Sequence, residues 1–184
     1  MRQTAILSVL LLTACRLMTP AAVPIPTPGH LPNVDWLAYQ DPAGFSIQHP
    51  LTWQQLDTGG YPVVFSLRAA PGTNLIEKRA EINVREGSGE CRQSSYGAET
   101  TGASPEHVLI NGADFLFRAG SGIAAGNIYD WTSYSTTKNS SCITITFVLH
   151  SSSSGVYGTE PPAFDRAAES AIFLELINTF RFEP

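Results

Sequence analysis

Several things are scarce in this chain of 184 residues, and each scarcity excludes something. Charged residues make up only 15% of it. That argues against a disordered polyelectrolyte and against a nucleic-acid binder, and no run of lysine or arginine supplies a basic patch. No nucleophile elbow, phosphate loop or dinucleotide fingerprint is present. The histidines His30, His49, His107 and His150 show no metal-like spacing, and the three cysteines form no Cys-x-x-Cys pair. No metal or cofactor is therefore expected. No segment repeats at a fixed period. What is present is 43% hydrophobic residues with 15 glycines and 13 prolines. That is the composition of one domain with a real core, many turns and short strands.

The amino terminus carries the strongest functional signal. Arg2 is followed by the apolar run Ala5–Leu12, which is too short to span a bilayer as a helix. Leu12-Thr13-Ala14-Cys15 comes next. This tetrapeptide resembles a bacterial lipobox. The resemblance implies a signal peptide over 1–14, a diacylglycerol on Cys15 and an extracytoplasmic protein held to the outer face of a membrane. The stretch 15–33 carries Pro20, Pro24, Pro26, Pro28 and Pro32 and reads as an extended tether. If Cys15 is lipidated, Cys91 and Cys142 remain. Outside the cytoplasm they are expected to pair, two free buried thiols being the alternative.

The domain, 34–184, is organised around Asn127–His150. Ile143, Ile145, Phe147 and Leu149 alternate with Cys142, Thr144, Thr146 and Val148, the period of a strand with one strongly apolar face. The turn is expected over Thr137–Ser140, giving a central hairpin. Further strands are expected around Phe45–His49, Trp53–Asp57, Tyr61–Arg68, Ala80–Arg85, Val108–Ile110 and Ala113–Ala119. Asn111-Gly112 is a hairpin turn, Ser121–Gly126 a small-residue bend and Gly87–Ser104 a long loop. Ala163–Phe180 is the one clear helix, with Phe164, Ala167, Ala168 and Ala171 on its inward arc.

Tyr39…Asp41-Pro42…Gly44-Phe45-Ser46-Ile47…Pro50…Trp53 resembles the opening of PsbP-like domains, and Ile177-Asn178-Thr179-Phe180-Arg181-Phe182 resembles their close. The resemblance implies an α+β fold, an antiparallel sheet of about six or seven strands with a C-terminal helix packed on one face. The first helix expected of that family is not evident. PsbP itself is an accessory protein of the photosynthetic water-oxidising complex, and a shared fold does not transfer that role.

No catalytic constellation emerges. Ser88 and Ser121 lie between glycines in polar runs, and Glu77, Glu81, Glu86, Glu90 and Glu99 read as solvated. Tyr129, Asp130, Trp131 and Tyr134 form a candidate ligand face, with Tyr96 and Tyr157 as further aromatics. Asp130 reads as outward on a two-faced sheet. Three functions follow. One is a lipid-anchored, non-catalytic binding or accessory module for an unknown protein or small-molecule ligand. Another is an envelope hydrolase of glycan or peptide using Asp130 or His150. The last is a domain holding a ligand between helix and sheet.

Overall fold

The computed structural model describes residues 35–87, 91, 98–102, 104–153 and 161–184. Cys15, the tether, His30, Ser88, Glu90, Tyr96 and Tyr157 lie outside them. The fold is α+β and mostly antiparallel sheet. In chain order come β1 (Trp36–Asp41), β2 (Phe45–Pro50), β3 (Gln54–Leu56), β4 (Val63–Leu67), β5 (Leu75–Glu86), β6 (Ala98–Gly102), β7 (Glu106–Ile110), β8 (Ala113–Ala124), β9 (Asn127–Lys138) and β10 (Ser141–Ser152). The helix α1 (Arg166–Ile177) and the short β11 (Arg181–Phe182) follow.

The strands form two sheets, not the single one of six or seven strands expected. The larger has eight, in the order β3-β4-β5-β10-β9-β8-β6 with β7 also paired to β8. The smaller is β1-β2-β11. Two segments account for part of the difference. Ser121–Gly126 is not a bend; β8 runs on to Ala124 and turns at Ala125-Gly126, both at positive φ. The segment expected as a long loop contains β6.

β10 sits at the middle of the large sheet, paired with β5 on one side and β9 on the other. The β9–β10 turn is shorter than expected. Asn139 and Ser140 alone make it, both in the left-handed region, while Thr137 and Lys138 remain in strand. That is the two-residue hairpin whose twist matches its strands.

The apolar set of β10 meets the core. Ile143, Ile145, Phe147 and Leu149 join Ile82 and Ala80 of β5, Phe65 of β4, Phe115 of β8 and Tyr134 of β9 in one cluster. Phe45 and Ile47 of β2, Phe180, and Ile172, Phe173, Leu176 and Ile177 of α1 belong to it as well. Ring contacts tie these parts together. Phe180 stacks on Phe45 at 5.4 Å and meets Phe115 edge-on at 4.9 Å. Phe173 stacks on Phe147 at 4.6 Å.

The opposite face of β10 is buried too, although its residues are mostly polar. Ser133 lies 3.2 Å from Thr146, and Ser135 lies 3.2 Å from Thr144, so paired hydroxyls satisfy one another across the strands. Cys91 and Cys142 form a disulfide with Cα atoms 5.5 Å apart, as the cysteine parity implied.

The segments that open and close the domain meet. Ser46 pairs with Arg181 and Phe45 with Phe182 in the β2–β11 ladder. Thr179 couples the helix end to the same strand: its Oγ1 accepts from the Gln48 amide at 2.8 Å and donates to the Leu176 carbonyl at 2.7 Å. Asn111, in the β7–β8 turn, donates its side-chain amide to the carbonyls of Asn178 and Phe180 at 2.6 and 3.0 Å. These bonds satisfy carbonyls that a helix end leaves open and fix where α1 lies.

A candidate ligand cavity beneath the helix

α1 is shorter than the expected Ala163–Phe180. Asp165 is its N-cap, accepting from the Ala168 amide at 3.1 Å, and Arg181 lies beyond it in β11. The inward arc also differs. Ala167, Ala168 and Ala171 are exposed, contrary to expectation. Helical spacing places Arg166, Glu169, Ser170 and Phe173 in line with Leu176 and Ile177 instead. The inward arc is thus polar in its first turns and apolar in its last. The apolar end seals against the core; the polar end does not.

A cavity of about 510 Å³ opens where the seal fails. Arg166, Ser170 and Phe173 line it from the helix. Phe147 and Leu149 of β10, Asp130, Trp131 and Thr132 of β9, and Ala119 and Ser121 of β8 line it from the sheet. The small residues Ala119, Gly120 and Gly102 leave the room. Its size falls within the range usual for small-molecule sites, roughly 300–1,000 Å³.

Asp130 dominates the chemistry. It is 7% exposed, not outward as expected, because the register Leu149↔Asp130 puts it on the helix-facing side. Both carboxylate oxygens are shielded from water and accept no well-directed hydrogen bond. Their charge is met by the Arg166 guanidinium, with Nη2 2.6 Å from Oδ2. The Arg166 side chain itself is 64% exposed. Nearby, Lys78 of β5 pairs with Glu169 at 2.7 Å and lies 5.8 Å from the Phe173 ring centroid.

The expected ligand face does not exist as one surface. Asp130 and Tyr134 share the helix side of β9; Tyr129 and Trp131 share the other side, as period-two alternation requires. Trp131 and Tyr134 are buried, and the Tyr134 hydroxyl is pushed up to about 12 by burial. Tyr129 stacks on His150 at 4.5 Å. His150 Nε2 lies 2.8 Å from Asn127 Oδ1, and its Nδ1 lies 3.5 Å from Glu77. Arg79 bridges Glu77 and Glu81, so these two acids are paired, not simply solvated. His49 belongs to the smaller sheet, packed 4.6 Å from the Phe65 ring, and makes no site with His150. Ser121 is a β8 residue opposite Asp130. Among the described residues no group of three metal-ligating side chains occurs, and no helix is long and apolar enough to cross a membrane.

Asp41 forms a separate polar knot at the end of β1. It accepts from the hydroxyls of Tyr39 and Tyr61 at 2.7 and 2.6 Å and from the Ala43 amide at 2.8 Å. Burial first, then the bond and charge of Asp41, raise both tyrosines above their ordinary pKa.

No family model matches the chain, and no curated protein matches it. A crystal structure from Bacteroides thetaiotaomicron at 1.50 Å resembles it with a TM-score of 0.49 at 16% identity. The match covers 80% of this chain and 48% of the other, so this chain spans about half the length of that protein.

Proposed function

We propose that this chain is a lipid-anchored extracytoplasmic binding module, non-catalytic, that holds a small ligand between α1 and the large sheet. The observation that carries this reading is the cavity, with its buried carboxylate and aromatic wall. Export is supported by the lipobox resemblance at Leu12–Cys15 and by the Cys91–Cys142 disulfide, a bond that persists in oxidising compartments. The membrane partner is then the lipid on Cys15. The PsbP-like arrangement belongs to the same proposal. It is supported by the pairing of the Phe45-Ser46 opening with the Arg181-Phe182 close, and by Phe173 of the helix lying against Phe147 of the sheet.

Binding is favoured over hydrolysis by the side chains around the cavity. Glycan hydrolysis needs two carboxyls flanking the scissile bond. Asp130 is the single acid among the described lining residues. His150 points to the other face of the sheet, where it pairs with Tyr129. Asp130 and His150, each nominated singly for hydrolysis, lie on opposite faces of the sheet, and Asp130 has no second carboxyl beside it among the described lining residues.

Two measurements test the reading. Mass spectrometry of the mature protein is expected to find a diacylglyceryl group on Cys15; an unmodified Cys15 removes the anchor. Ligand-observed NMR with small aromatic compounds of positive, zero and negative charge is expected to find at least one that binds and is displaced by filling substitutions at Ala119. Silence from all three charge classes removes the ligand.

A further inference from the structure

We infer that the cavity is selective for an organic cation, an ammonium group on an apolar body, which takes the place of the Arg166 guanidinium on Asp130. The inference rests on the binding reading above and adds the charge of the ligand.

The two ends of the Asp130–Arg166 pair are unequal. Asp130 is almost wholly buried, with no hydrogen-bond donor from the fold directed at its oxygens. Arg166 stands mostly in solvent on the first turn of α1. Moving Arg166 off costs little, because an exposed, flexible partner is already well hydrated. Leaving Asp130 without a cation costs much more, because a buried charge stripped of its partner is heavily penalised. A negatively charged guest would draw on Arg166 and leave Asp130 uncompensated. A neutral guest would strand it if it displaced the arginine. A cationic guest satisfies Asp130 and releases Arg166 to water. The buried partner therefore sets the sign of the ligand.

The rest of the wall agrees. Phe147, Phe173 and Leu149 offer an apolar surface to the ligand body, and a cation beside aromatic rings gains a further attraction. The neighbouring charges do not reverse the balance, since Lys78 is already committed to Glu169. Arg166 then behaves as a removable plug, competing with the ligand for one carboxylate.

The test uses 4-fluorobenzylamine, 4-fluorobenzyl alcohol and 4-fluorophenylacetate, followed by fluorine NMR on the detergent-solubilised full chain. The amine is expected to bind saturably, and about tenfold or more tighter than the alcohol or the acid, the range of one charge-assisted hydrogen bond. Asp130→Asn is expected to abolish that preference while keeping the near-ultraviolet circular dichroism of the folded protein. Arg166→Ala, which removes the competitor, is expected to raise amine affinity by about two- to fivefold, the competition of an exposed ion pair. Should Asp130→Asn fail to fold, the direction of the Arg166→Ala effect decides. Unchanged or weaker amine binding in Arg166→Ala overturns the inference. So does an acid or alcohol that binds better than the amine, which leaves the cavity a binding site of another preference. Silence from all three probes overturns both the inference and the binding reading.

Discussion

Lys138, at the end of β9, donates to the carbonyl of Gly44, 2.7 Å away in the β1–β2 turn, and also to the carbonyl of Glu183. One ammonium thus joins the large sheet to the β1–β2 turn and to the residue after β11, which are themselves bonded through the Glu183 amide and the Gly44 carbonyl. Its charge lies 5.2 Å from the Phe182 ring centroid. Gly44 has φ +82°, and a Cβ there would come within 3.1 Å of the Lys138 Nζ. A lysine read from sequence as a turn residue is a clamp between sheets.

Lys138→Ala is therefore expected to lower stability by about 1–3 kcal/mol, because it removes the lysine donor from the part-buried Glu183 carbonyl and leaves the Gly44 carbonyl with the Glu183 amide alone. Urea unfolding at fixed pH measures it. A midpoint equal to the parent's would show that the clamp contributes nothing.

Alkaline unfolding reports on Tyr134. Burial raises its pKa from 10.0 to about 12 in the folded chain. Between those values the unfolded chain loses the proton and the folded chain keeps it. The contribution is fully present below pH 10 and is lost as pH rises through the window, by about 1.4 kcal/mol per pH unit. Tyr39 and Tyr61 are raised as well and act in the same direction. Tyr134→Phe is expected to make the fall in stability above pH 10 shallower. An identical slope in parent and variant would rule out the buried hydroxyl as a source.

Phe147 lies between the rings of Phe173 at 4.6 Å and Tyr134 at 6.1 Å and is 1% exposed. Phe147→Ala is expected to cost about 3–5 kcal/mol, the usual penalty for emptying an aromatic core site. Since Phe147 also lines the cavity, its loss should widen it. A cost under about 1 kcal/mol would mean that the neighbours close in without strain.

The disulfide joins residues 51 apart in sequence. Replacing Cys91 and Cys142 together by serine is expected to remove about 4 kcal/mol by the loop-entropy estimate. Equal unfolding midpoints for the oxidised parent and the double variant would refute it.

How much of this was legible beforehand differs from place to place. The hairpin centre was readable because Ile143, Ile145, Phe147 and Leu149 carry an unbroken period of two. The burial of the opposite face was not, because Thr144 and Thr146 are satisfied by Ser135 and Ser133, partners visible only once the register is set. The strand limits at Ser121–Gly126 were hidden by small residues that serve strands and bends alike. The helix arc went wrong because alanines suggested an inward side, whereas Arg166, Glu169 and Ser170 hold that position through ion pairs and the cavity. Their spacing from Phe173 and Leu176 places them on one arc, which is the polar stripe that borders the cavity. The same arithmetic applied to Tyr129, Asp130 and Trp131 would have separated the acid from its aromatic neighbours.

The β1-β2-β11 sheet gathers both termini of the domain around one strand. Trp36 and Phe182 sit on opposite flanks of β2. Mechanical load arriving from the amino-terminal side falls on β1 first. Six paired residues separate it from β2, whereas eleven bind β5 to β10. Pulled by its leading end, the domain should shed β1 while the cavity keeps its shape.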